Sequence, residues 1–136
     1  MSGTLTLTAA VTPSAIRMSI VRAKTAIYYI DVLQADGTTP FDLTGTVMYF
    51  HASNGSFVID KSTLASGSPA IVQGIVYNDP TMGLAILTLD PADTESLGAQ
   101  GVFGMPCEFT LTGGSPAGTL ELATGNLTIS PSVGTP

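Results

Sequence analysis

Tryptophan is missing from the 136 residues, and cysteine, histidine and basic side chains are nearly so, with one Cys, one His and four Lys plus Arg. Cys107 has no second thiol to pair with inside the chain, and a cysteine-rich zinc site, which needs several thiolate or imidazole ligands at set spacing, is excluded. The four basic residues stand against ten acidic ones, 4 − 10 = −6, with a pI near 4.2. Phosphate binding needs a basic face that releases counterions, so nucleic acid is excluded as a partner. Nowhere do about 18 apolar residues run together as a spanning helix requires, and no membrane partner is expected. Threonines and serines interrupt Met1 to Ile20, and no charge precedes Arg17, unlike a signal peptide; the expectation is a protein made in a cytoplasm without export.

What is present points to a folded chain. Hydrophobic residues make up 44% and charged ones 10%, a balance that does not support disorder. The length fits one compact domain, and a domain of this size buries enough surface for a core without disulfides. The charge is unevenly placed. Arg17, Arg22, Lys24 and Lys61 are offset by Asp31, Asp36, Asp42 and Asp60, while Asp79, Asp90, Asp93, Glu95, Glu108 and Glu121 carry the whole net charge beyond Lys61. Such a dipolar chain suits oriented docking on other proteins, unless the basic stretch folds back on its own acidic half.

Apolar residues recur with period two, and glycine (15), proline (9) and threonine punctuate them, which predicts short strands. Leu5, Leu7 and Ala9 alternate with Thr4, Thr6 and Thr8 before Pro13; Ile16, Met18 and Ile20 alternate with Arg17 and Ser19; Ala26 to Gln34 is a β-branched and aromatic run. Asn54-Gly55 between two such runs predicts a hairpin, because both residues tolerate positive φ. Strands are further predicted over Ala70 to Tyr77, Leu84 to Leu89 and Phe103 to Leu111, followed by a last hairpin over Thr119 to Ile129 with a turn or bulge at Gly125-Asn126. Asp90-Pro91 with acids in the next turn predicts one short helix ending at Gly98. The fold class is all-β, an immunoglobulin-like antiparallel sandwich of about seven to nine strands with one short helix, ahead of a closed β-barrel. Residues 1–25 form an N-terminal strand or arm with a basic segment, and residues 26–136 form the sandwich.

An ordered set of turn and strand residues carries a resemblance. Asp31, Asp36-Gly37, Pro40, Asp42-Leu43-Thr44-Gly45 and Met48-Tyr49-Phe50 are followed by Gly83 and Leu87-Thr88-Leu89-Asp90-Pro91-Ala92-Asp93-Thr94. Phe109-Thr110-Leu111 and Gly125-Asn126-Leu127-Thr128-Ile129 complete the order. Over about residues 26 to 131 the chain resembles the immunoglobulin-like accessory domains of tailed-phage virions, typified by the N-terminal domain of baseplate upper proteins. That family commonly has Gly-x-Tyr entering a late strand, where this chain has Gly101-Val102-Phe103, so a buried tyrosine hydroxyl bond there is not carried over. The resemblance implies a structural part of a virus particle.

The inventory for catalysis is thin. His51 falls on the face opposite to Met48, Phe50 and Ala52, and no Gly-x-Ser-x-Gly elbow selects a serine to accompany it. Cys107 belongs to an apolar alternation and reads as a core thiol. Of the close carboxylate pairs, Asp90 with Asp93 reads as a helix cap, and Asp36 with Asp42 as loop residues bonding their own backbone. Neither an EF-hand nor a phosphate-binding glycine loop occurs. No catalytic residue, metal or cofactor is assigned, and the protein reads as non-enzymatic.

Several strands are apolar on both faces, where a sandwich strand should alternate. With Tyr28, Ile30 and Val32 inward, Ile27, Tyr29 and Leu33 point out; with Met48 and Phe50 inward, Val47 and Tyr49 do; with Ala85, Leu87 and Leu89 inward, Leu84 and Ile86 do. Exposed apolar patches mark interaction surfaces. The strand holding Leu5 and Leu7 either adds to a neighbour's sheet edge or is the first strand of its own sandwich. Arg17, Arg22 and Lys24 would then reach acidic groups on the receiving surface. Together these twelve residues are the expected partner-binding set. The expected partners are other virion structural proteins, major capsid or tail and baseplate subunits, with a homo-oligomer or multiple copies in the assembly and the virion as location. A capsid decoration or cement subunit is placed ahead of a tail or baseplate accessory, because the chain reads as one stand-alone domain. A carbohydrate-binding or adhesin module is the alternative from another class; against it stand the missing Trp and the small number of Tyr (4) and Phe (5).

Overall fold

A computed structural model describes residues 2–10, 12–55, 57–64, 72–95, 102–113 and 119–131. Among these residues the period-two segments form ten strands: β1 (Ser2–Ala9), β2 (Ser14–Val21), β3 (Ala26–Gln34), β4 (Thr46–Asn54), β5 (Phe57–Ser62), β6 (Val72–Gln73), β7 (Ile75–Asp79), β8 (Leu84–Leu89), β9 (Phe103–Gly113) and β10 (Thr119–Ser130). They build two sheets, β1-β3-β8-β7 and β2-β10-β9-β4-β5-β6. The two stay separate sheets rather than closing into one barrel, and the sandwich reading holds.

The inward side chains of both sheets meet in one core. Leu5 and Leu7 of β1, Ile30 and Val32 of β3, and Leu87 and Leu89 of β8 come from the first sheet. Met18, Met48, Met105, Leu127 and Ile129 come from the second. Phe50 and Phe109 stack across β4 and β9 with ring centroids 4.9 Å apart and planes tilted by 48°. A fully buried side chain such as Leu7 contributes roughly 2 kcal/mol through removal of its apolar surface from water.

Four differences from the sequence reading have physical causes. The sheets are mixed: β1 runs parallel to β3, β2 parallel to β10 and β5 parallel to β6. The chain leaves β1 at Ala9, passes Pro13 and enters β2 on the other sheet, so one N-terminal segment supplies an edge strand to each. The Asp90 signal starts a single 3-10 turn, Pro91–Asp93, which ends at Thr94; positions 96–98 of the expected helix lie outside the described residues. No hairpin interrupts Thr119–Ser130; the register slips between Glu121 and Ala123, a bulge that leaves the consecutive Leu122 and Ala123 both buried. Gly125 continues the strand because β2 approaches closely, and a Cβ there would lie 1.8 Å from the Ile16 carbonyl oxygen.

Polar groups join the sheets at defined points. The Tyr28 hydroxyl on β3 donates to the Ser19 carbonyl at 2.8 Å and accepts from the Ser19 N–H at 3.0 Å. Tyr77 and Thr46 share a hydroxyl contact of 2.8 Å, and Thr46 donates to the Leu43 carbonyl at 2.6 Å. Thr94, buried beside the 3-10 turn, accepts the Ala23 N–H at 2.8 Å. That bond holds the β2–β3 corner, where Ala23 sits at φ 59°. Lys61 is the one basic side chain among the described residues that points into the sandwich: its residue is 2% exposed, and Nζ reaches Asp93 Oδ2 at 2.9 Å and Asp90 Oδ2 at 3.9 Å. The acidic turn after β8 therefore satisfies a charge that β5 buries.

Candidate interaction surfaces

The outer face of the four-stranded sheet is set by its register. Thr4, Tyr29, Ile86 and Val76 stand side by side in one row across β1, β3, β8 and β7. Thr6, Asp31, Leu84 and Asp79 form the next row, and Ile27 stands opposite Thr88. Tyr29 is 48% and Val76 55% exposed. A hollow of about 240 Å³ opens beside the rows, lined by Thr4, Tyr29, Asp31, Asn78 and Leu84 among others. Leu33 is half-buried at the end of β3, where Pro40 bridges to it.

The outer face of the six-stranded sheet is polar. His51 lies opposite Asp60 on β5 and Glu108 on β9, and its Nδ1 is hydrogen-bonded to Asp60 Oδ1. Glu121 on β10 brings another carboxyl toward Glu108; shielding of Glu121 from water, then the hydrogen bond to Glu108 and its charge, push Glu121 up to about 7. A groove of about 340 Å³ is lined by His51, Ser53, Pro106, Cys107, Glu108, Thr124 and Gly125. Burial, helped by the Glu108 charge, pushes the Cys107 thiol up to about 11, so the groove holds a thiol and not a thiolate. Among the described residues no three His, Cys, Asp or Glu side chains are placed to hold a metal ion. The carboxylate of Asp36 is held down to about 2 by the Thr39 hydroxyl and the N–H groups of Thr39 and Thr38, and Asp42 is lowered by Thr44; both serve their own loops.

The expected partner-binding residues divide among four places. Leu5 and Leu7 are buried in the core between the sheets, which corrects their placement on a binding surface: their strand pairs in full register with β3 of the same chain. Ile27, Tyr29, Leu33, Leu84 and Ile86 share the outer face of the four-stranded sheet. Val47 and Tyr49 stand opposite Thr112 and Thr110, on the other side of the sandwich, and Arg17 stands opposite Asn126 on that side. Arg22 and Lys24 flank Ala23 at the β2–β3 corner. Val76 belongs to the outer face of the four-stranded sheet as well, outside the expected set, and the inward Ile75 before it gives its direction.

Two packed sheets, with the N-terminal segment divided between them, place the chain in the class of all-β sandwiches. A solved structure with the same fold is the N-terminal domain of phage TP901-1 ORF48, at TM-score 0.52 and 12% sequence identity over 97% of this chain and 99% of that one. No protein-family model and no curated protein matches the chain.

Proposed function

We propose that the protein is a non-enzymatic structural component of a tailed-phage virion, attached to another virion protein through the outer face of its four-stranded sheet. What supports this most is the fold shared with a phage protein domain along nearly the whole of both chains, in line with the resemblance carried by the turn residues. The row Tyr29, Ile86 and Val76 supplies the contact: it is apolar, exposed on two of its three side chains, and has Asp31 and Asp79 at one end to orient a neighbour. Among the described residues the opposite face offers a histidine–carboxylate pair without an activated nucleophile, which favours attachment over catalysis. On this reading the chain is a capsid decoration subunit or a tail or baseplate accessory. Electron microscopy of particles carrying a tagged copy tests it: label on the head assigns a decoration protein, label on the tail an accessory, and particles without label overturn the proposal.

A further inference from the structure

We propose that the open edge of β1 is a self-association site, at which two copies pair β1 with β1 in antiparallel fashion across a two-fold axis at Thr4. Natural sheets blunt their edges with charge, proline, bulges or very short strands, and three of the four edges here do so. β2 carries the exposed Arg17, β6 is two residues long, and β7 slips register between Val76 and Asp79 and runs into Pro80. β1 has none of these devices: its eight residues, SGTLTLTA, hold unbroken register with β3 and include neither charge nor proline.

The backbone shows how much of the edge is open. Thr8 N–H donates to Ser14 Oγ at 3.0 Å, away from β3, and alternation along a strand turns Ser2, Thr4 and Thr6 to that same side. An antiparallel mate centred on Thr4 pairs Ser2 with Thr6, Thr4 with Thr4 and Thr6 with Ser2, for about six backbone hydrogen bonds. Self-complementarity selects a second copy for that place, because an antiparallel mate of the same sequence sets only the uncharged Ser2, Thr4 and Thr6 against one another. Self-pairing of β2 about Arg17 would bring the two arginines together, whereas at β1 the nearest charges on the outer face, Asp31 of each copy, stand roughly 20 Å apart, beyond the ~8 Å Debye length. The pairing joins the two four-stranded sheets into one and carries the Thr4, Tyr29, Ile86 and Val76 row across the axis.

Sedimentation equilibrium of the full chain, with no virion protein present, tests this independently of the attachment proposal. The expected result is a reversible dimer of twice the 13.9 kDa chain mass. Thr4→Lys, which sets like charges face to face at the axis, and Thr6→Pro, which removes an N–H not used toward β3, each weaken it at least about 10-fold with unchanged circular dichroism. A wild-type chain that stays monomeric to about 100 μM, or a dimer undiminished in folded Thr4→Lys, overturns the proposal. If Thr6→Pro fails to fold, Thr4→Lys decides.

Discussion

The outer face of the four-stranded sheet and that of the six-stranded sheet are built from the same kind of alternating strand, yet one is left apolar and the other polar. On the first, Tyr29, Ile86 and Val76 adjoin across three strands, with charge confined to Asp31 and Asp79 at one end. On the second, Asp60, His51 and Glu108 cross three strands in one line, and the apolar Val47 and Tyr49 stand among threonines. Hydration of the second face is favourable as it stands; the first leaves surface that a neighbour would remove from water. On the proposed reading, attachment falls to the apolar side of the sandwich and the polar side is left to water.

The largest expected effect breaks this contrast directly. Tyr29→Glu places a charge in the apolar row and should weaken attachment to particles on the order of 100-fold, the scale of a central aromatic anchor. Its side chain is half exposed, so stability should change by less than about 0.5 kcal/mol by chemical denaturation. Glu108→Gln on the opposite face should leave attachment unchanged. Lys61→Ala tests what holds the two faces back to back. It removes a buried ammonium that joins β5 to the acidic turn after β8, and should cost about 2 kcal/mol, less than a fully buried pair because Asp93, its close partner, and Asp90 both keep surface in water; Lys61→Met should recover part of that through packing. Tyr28→Phe deletes the hydroxyl that serves both the N–H and the carbonyl of Ser19, and should cost about 1–2 kcal/mol in the same measurement.

The smallest effect sharpens the polar side. Glu121 titrates at about 7 in the fold against an ordinary 4.5, so between those values the folded chain holds a proton that the unfolded chain releases. Its contribution to stability is present below about 4.5 and declines as pH rises through 7. Solvent screening at this partly exposed position reduces the size of that change. Glu108→Gln should move the Glu121 carbon resonance midpoint down toward the ordinary carboxylate range and flatten that pH dependence, as followed by NMR titration and thermal melts.

Much of the fold is legible in the sequence where local chemistry decides it. The hairpin at Gly55, the turn closing at Gly83 and the alternation of Phe103 to Leu111 follow from φ preference and period alone. Gly83 has φ 72°, and a Cβ there would meet the Val32 carbonyl oxygen at 2.3 Å. Strand partners are a different matter. Nothing local in Ser2–Ala9 says that it joins β3 in parallel while Ser14–Val21 crosses to β10, because that choice is made by which core faces the two segments can fill together. Lys61 illustrates the same limit, since its burial depends on carboxylates some thirty residues later in sequence. The candidate surface was legible strand by strand: the direction of Tyr29, Leu84 and Ile86 follows from alternation. Their union with Val76, and their separation from Val47 and Tyr49, follow from sheet order, which alternation cannot supply.

A cryo-electron microscopy map of particles bearing this protein would test the attachment claim most directly. Neighbour density should cover Tyr29, Ile86 and Val76, with Glu108 and His51 open to solvent. Density of a neighbour over the His51–Glu108 face, with the Tyr29 row bare, would contradict it.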